Sequence, residues 1–387
     1  MNKQTTVSES SSIDRRKFIK VAGLGAGAGL LGANLLARTA RAATGDKPFA
    51  GQTLRVFVYS GAWEKGFNEH FVPRFETQTG AKVIVDPGWW DSIPKLKASP
   101  KGQPAFDLVL TDATQGYPAI KEGLFQTIDL GKIPNKSNFA ASALDNWVVK
   151  DSYGITFPDS VMTLGYNKTM VNTPPTKWGD LLGDEYKGKL GMYNSFYMSL
   201  YTFACMKVSQ EGKPGTASKE VADNLQRVID FAKANRDRVK LWWPTSTDMA
   251  LNLTQKNCAL GNMHGTDMIP ALKNSADLGA VVPAEDRAFV LLMWVVANGT
   301  KVKDLALEAM NMLLSEEVQS GFASAGSATA IPSVAAKIAA QDKFWGQIYP
   351  STSEGLAAVQ YYPYDTYMAH WDDIVKVWDR EVLRKSA

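Results

Sequence analysis

Two cysteines in 387 residues cannot form the disulfide framework of a small secreted scaffold, and three histidines leave little for metal or acid–base chemistry. None of His70, His264 and His370 sits in an HExxH or HxH arrangement. Neither Cys205 nor Cys258 lies in a CxxC, and no GxSxG elbow or Walker A loop occurs. A catalytic role is disfavoured, so no catalytic residue, metal or cofactor is assigned. Past the N-terminal region the longest uncharged apolar stretch, Ala288 to Val296, is strand-sized and too short to span a bilayer. What the chain does have is ordinary globular usage, 45% hydrophobic and 21% charged, which excludes disordered, collagen-like and coiled-coil classes. At about 150 residues per domain, its length suggests two or three domains.

The formal charge of +3 is carried by the N-terminus. Residues 1–42 hold seven Lys/Arg against Glu9 and Asp14, a net of +5 that leaves the remainder at −2. The body thus lacks the electrostatic footprint of a nucleic-acid or anionic-membrane binder. Arg15-Arg16-Lys17-Phe18-Ile19-Lys20 precedes a run from Val21 to Ala37 that has no charge and is diluted by five glycines. Ala40-Arg41-Ala42 then gives the small-x-small pattern of a signal peptidase site. This reads as a twin-arginine-type signal peptide over residues 1–42, cleaved after Ala42, with Asp14 where Ser or Thr is usual. The mature product is expected to be soluble in the periplasm. In that oxidising compartment Cys205 and Cys258 either pair or, given their apolar surroundings, stay buried as free thiols.

Leu54 to Tyr59 alternates like a strand, and Phe67, Phe71 and Phe75 follow at helical spacing until Gly80 stops the helix. Ala81 to Val85 is a second strand, Ser92 to Ala98 a short helix, Phe106 to Leu110 a third strand and Tyr117 to Gly123 a helix. This βαβ order predicts a parallel sheet whose loops at Tyr59-Ser60 and Thr111-Asp112 share one carboxyl edge, where open α/β sheets bind ligands. From Tyr153 the pattern resumes, with strands at Tyr153–Pro158, Met162–Asn167 and Leu190–Tyr193 and an amphipathic helix over Ser218–Ala234. Strands at Ala280–Pro283 and Phe289–Val296 and a helix at Asp304–Leu314 complete it. Two α/β lobes fit this better than one.

Eleven tryptophans all fall after residue 42. Most belong in cores, but the doublets Trp89-Trp90 and Trp242-Trp243 flank a loop and a helix N-terminus. Rings placed there suit either a small-molecule cleft or packing between lobes. His264, within Asn262 to Asp267, is the one histidine near such a position and reads as a satisfied turn residue.

The order of segments resembles the periplasmic solute-binding proteins of ABC importers, in particular the spermidine/putrescine-binding group. Leu54 to Trp63, Phe75 to Val83, Phe106 to Val109 and Glu122 to Leu130 are similar to that family's opening lobe. Tyr153-Gly154-Ile155 and Leu164 to Lys168 are similar to its crossing region. Trp178 to Leu181, Tyr186 to Gly191, Val281 to Glu285, Ala306 to Ala309 and Leu313 to Val318 continue the match over nearly the whole mature chain.

The resemblance implies an α/β, two-lobed periplasmic-binding-protein fold of type II, each lobe a mostly parallel sheet flanked by helices. One lobe is expected over 44–158 plus 284–330, the other over 159–283 plus 331–387. It implies a monomer that captures a small solute, most simply a polyamine-like cationic amine, and delivers it to an ABC importer permease in the inner membrane. A desolvated ammonium needs a counter-charge or a π face. The candidate ligand residues are Tyr59, Ser60, Trp63, Trp89, Trp90, Asp112, Asp159, Trp242, Trp243, Thr266, Asp267 and Trp294. The chain departs from the family at Val290, where a stacking Trp is expected, and at Leu292, where an amine-binding Asp is expected; Trp294 is the nearest substitute ring. Ser60, Thr111, Thr114, Ser195 and Thr245 to Thr247 offer a competing site at helix starts, which leaves thiamine or its phosphates, organic anions and aminophosphonates open. An exported enzyme is the remaining alternative.

Overall fold

Leu54, Val56, Phe57 and Val58 have no exposure at all, which makes β1 (Thr53–Tyr59) an interior strand. The structure, a computed structural model, describes residues 47–384, so the signal peptide assigned to residues 1–42 lies outside the described residues. β1 is flanked in parallel by β2 (Lys82–Gly88) and β3 (Leu108–Asp112). The helical run from Ala62 to Thr79 crosses between β1 and β2 and contains one π turn at Phe67–Phe71. Phe67, Phe71 and Phe75 stack along its buried face with centroids 4.5 and 4.9 Å apart. Gly80 ends the run at φ 74°, a left-handed cap that favours glycine.

The sheet continues from β3 to β9 (Ala288–Val296) and then to β4 (Gly154–Asn167), both antiparallel steps. β4 is the axis of the molecule. Its residues Gly154 to Val161 pair with β9, while Met162 to Asn167 pair with β7 (Leu260–His264) on one side and β8 (Leu278–Val281) on the other. Beyond β7, β5 (Leu190–Tyr193) and β6 (Val239–Trp243) run parallel. The full order is β2-β1-β3-β9-β4-β7-β5-β6, with β8 on β4 and the short β10 (Gln360–Tyr361) on β9.

One sequence expectation changes here. The strands expected at Tyr153–Pro158 and Met162–Asn167 are one continuous strand. Pro158 has no N–H to give the ladder, and the register shifts between Pro158 and Val161, so the strand passes through without a missing partner. The expected parallel pairings are present in each half-sheet, β1 with β2 and β3 and β5 with β6 and β7, and the antiparallel steps are those of the crossing strands β4 and β9. The 331–387 segment, expected with the second lobe, contacts both half-sheets. The Gln347 side chain bonds the Ala280 carbonyl of β8, but Ser142 bonds the Leu356 carbonyl and β10 pairs with β9.

The return crossing, residues 282–287, is pinned by Asp286. This buried residue sits at φ 55°, and its carboxylate accepts the N–H groups of Gly215 (2.9 Å) and Ala217 (2.7 Å) at the start of the Ala217–Asn235 helix.

Cys205 and Cys258 are free and buried. Burial raises the Cys205 thiol well above its ordinary range and pushes Cys258 up to about 12. Since the thiolate is the reactive form, an aromatic disulfide reagent is expected to label neither residue in the folded protein and both after denaturation. Stoichiometric labelling under native conditions would contradict this burial.

Candidate functional site

The point at which β4 exchanges partners carries Pro158-Asp159-Ser160, and the groups around it come from both half-sheets. Trp63, from the first turn after β1, donates its indole N–H to Asp159 Oδ1 at 3.2 Å. Its ring packs on Phe157 (5.7 Å) and Phe322 (4.8 Å), so the carboxylate stands against an aromatic wall. From the other side come Thr266 and Asp267 on the Gly265–Asn274 helix. Gly265 permits this approach, because a Cβ there would lie 2.7 Å from Ile348 and 3.0 Å from Val161. The Thr266 N–H and hydroxyl both reach Ser160 Oγ at 3.2 Å, and the Thr266 hydroxyl also lies 3.5 Å from Asp267. The Ala328 N–H donates to the Asp159 carbonyl (3.2 Å).

The electrostatics of this corner are one-sided. Burial, opposed by the Trp63 hydrogen bond and reinforced by the charge of Asp267, pushes the Asp159 carboxyl up to about 7. Burial also lowers the imidazole of His264 below its ordinary range despite Asp267 nearby, which keeps it neutral at pH 7. Among the described residues no lysine or arginine forms an ion pair with Asp112, Asp159 or Asp267.

A second acidic position, Asp112, closes the carboxyl end of β3. Its Oδ1 caps the Ala113–Lys121 helix by accepting Thr114 N (2.7 Å), Thr114 Oγ1 (2.5 Å) and Gln115 N (3.2 Å). Its Oδ2 accepts the Tyr59 hydroxyl at 3.0 Å. Across from it stand Tyr193 and Tyr197 of the other half-sheet, whose hydroxyls are raised by burial first and by the Asp112 charge in addition. Tyr193 stacks on Trp243 at 4.3 Å with 20° between planes, and the Tyr197 hydroxyl lies 3.2 Å from His264 Nε2. A wall of neutral rings therefore spans the distance between two acidic ends, the geometry required to desolvate an alkyl chain that carries positive charge.

The structure thus brings together Tyr59, Trp63, Asp112, Asp159, Trp243, Thr266 and Asp267 along this seam. Ser60 is half-buried beside β2, its N–H on the Gly88 carbonyl. Trp89 and Trp90 stay at the rim, 60% and 56% exposed, with Trp89 stacked on Tyr59 at 5.6 Å. Two placements differ from expectation. Trp294 is 1% exposed inside the first half-sheet, packed on Phe67, because β9 is covered on both faces. Trp242 alternates to the face of β6 opposite Trp243 and meets Trp378 instead. Two of the helix starts proposed for an anion are already occupied, by Asp112 on Thr114 and by Asp248 against the Thr245 hydroxyl (2.6 Å), while the Phe196–Gln210 helix that follows Ser195 has no side-chain cap.

Tyr193, Tyr197 and Ser160 were not singled out in the sequence. One signal existed for the first: Tyr193 ends a strand at a carboxyl edge, as Tyr59 does.

Two half-sheets joined by a shared strand, with an aromatic and acidic seam at the join, define a two-lobed solute receptor. Residues 71–345 match the family described as bacterial extracellular solute-binding protein, and the chain belongs to it. Among curated relatives, it is 25% identical to the spermidine/putrescine-binding periplasmic protein of Escherichia coli over 67% of this chain and 73% of that one. It is 22% identical to a putrescine/cadaverine-binding protein of Pseudomonas aeruginosa over 74% and 79%. An ABC transporter protein of Clostridium perfringens shares the fold with TM-score 0.71 at 20% identity, covering 85% of this chain and 99% of that one. A spermidine/putrescine substrate-binding protein of Streptococcus pneumoniae does so with TM-score 0.68 at 17% identity, over 86% and 100%. The family's description is of extracellular solute-binding proteins, and the Escherichia coli relative is periplasmic by name.

Proposed function

We propose that this protein is the exported receptor of an ABC importer, holding a polyamine-like cationic amine between its lobes and passing it to an inner-membrane permease. The observation that carries the reading is the acidic seam itself. Asp159 and Asp267 lie close enough for one charge to raise the other's carboxyl, beside stacked rings and with no basic partner among the described residues. Curated relatives that bind spermidine, putrescine or cadaverine by name support the same solute class. Tyr59, Trp63, Asp112, Asp159, Trp243, Thr266 and Asp267 are the ligand-facing set, with Trp89 and Trp90 at its rim. Affinity arises from closure that replaces water around the ammonium with carboxylates and π faces. The twin-arginine signal, cleaved after Ala42, supplies the export route, and N-terminal sequencing of the periplasmic protein tests the cut.

In a thermal-shift panel of putrescine, cadaverine, spermidine, thiamine phosphate and dicarboxylates, an amine at about 100 times its Kd is expected to add about 2.7 kcal/mol of stability. A response to thiamine phosphate or a dicarboxylate alone would instead favour a helix-terminus anion site.

A further inference from the structure

We infer that Asp159 and Asp267 form a proton-for-cation exchange site: the empty pair keeps one proton, and the incoming ammonium expels it to solvent. This deepens the amine reading and rests on it. The geometry carries the argument. Asp159 is held at the crossing strand with one weak donor, the Trp63 indole, and Asp267 is brought beside it through the Ser160–Thr266 contact.

The groups facing the pair are named readily. Trp63 and Phe322 are uncharged, Ser160 and Thr266 are hydroxyls, and His264 is kept neutral by burial. Tyr349, which follows the Lys343–Ile348 helix, has its hydroxyl raised well above its ordinary range by burial first and then by Asp159. It therefore stays protonated and adds no positive charge. Two carboxylates in such surroundings cannot both ionise cheaply, so a proton takes the place that a lysine would fill in a structural ion pair. When an alkylammonium enters, its charge replaces that proton. The balance is one ammonium bound for one proton released, and the ligand stays charged because alkylammonium groups lose their proton only near pH 10.4. Neither acid occupies the positions, Val290 and Leu292, at which the resemblance placed the family's stacking ring and amine-binding carboxylate. The exchange is therefore a property of this chain's own residues.

The test is isothermal titration calorimetry with putrescine in buffers of different ionisation enthalpy, from pH 6 to 8.5. Close to one proton released per putrescine is expected at pH 6 and close to none at pH 8.5, with Kd rising about tenfold per pH unit below 7. Asp267→Asn is expected to move the midpoint of that profile to lower pH by removing the neighbouring charge. Asp159→Asn, measured at saturating putrescine, is expected to abolish the release. Tight binding without proton release at pH 6, or undiminished release in Asp159→Asn, overturns the exchange and leaves the amine reading standing. Absence of binding by putrescine, cadaverine and spermidine alike overturns the amine reading, and the exchange with it.

Discussion

Asp159→Asn is expected to make the ligand-free protein more stable at pH 9 while weakening its response to amines. Burial holds the Asp159 carboxyl at about 7 in the folded chain, well above its value in the unfolded one. For an acid whose pKa is raised by folding, the native state binds the proton more tightly. The stabilising contribution is complete below the unfolded pKa and is lost as pH climbs through the folded value. A difference of roughly three pKa units sets an upper limit of about 4 kcal/mol, which solvent reaching this half-buried residue reduces. The wild-type melting temperature should therefore fall between pH 5 and 9 by several degrees more than that of Asp159→Asn. Parallel melting curves for the two proteins across that range would show that the carboxylate bears no burial cost. Opposite signs of the two effects would identify a residue that serves the ligand rather than the fold.

The second large effect lies far from the seam. Lys207, 6% exposed on the Phe196–Gln210 helix, places Nζ 2.5 Å from Glu211 and 2.9 Å from Glu220, and the half-exposed Arg227 completes the cluster at 3.2 and 3.5 Å. Burial pushes the Glu220 carboxyl up, but Lys207, Asn224 and Arg227 outweigh it and hold the group below its ordinary range. Lys207→Ala removes the buried partner of Glu220, whose side chain is 12% exposed, as well as that of the more open Glu211, and breaking a buried pair in this way costs about 3–5 kcal/mol. The loss should show in urea denaturation at pH 7 and shrink at pH 4, since a carboxyl with a depressed pKa loses its contribution as pH falls through that value. Lys207→Met combined with Glu220→Leu should recover most of it, because apolar side chains of similar size need no counter-charge. A single variant with an unchanged midpoint would show that Arg227 alone neutralises the site.

Much of the scaffold was readable one residue at a time. The alternation around Leu54 to Val58, the three phenylalanines at helical spacing and Gly80 after them each encode a local decision, and each appears at or within a few residues of its expected place. The site was less accessible for a physical reason. Asp159 stood out as an acid after a strand, but what makes it unusual comes from Trp63, 96 residues earlier, and from Phe322 and Asp267, which no local pattern connects to it. The Trp242-Trp243 doublet was visible as aromatic surplus, yet which ring faces the seam depends on strand alternation against β5, a tertiary fact. Trp294 was misplaced for the converse reason: a strand covered on both faces is apolar throughout, so its pattern does not say which side meets a ligand.

The single strand common to both half-sheets carries Asp159 where it changes partners, whereas Trp89 lies 60% exposed at the rim. A rotation of one half-sheet about β4 is therefore expected to move the charged group less than the rim ring, and Trp89 fluorescence is the signal expected to report it.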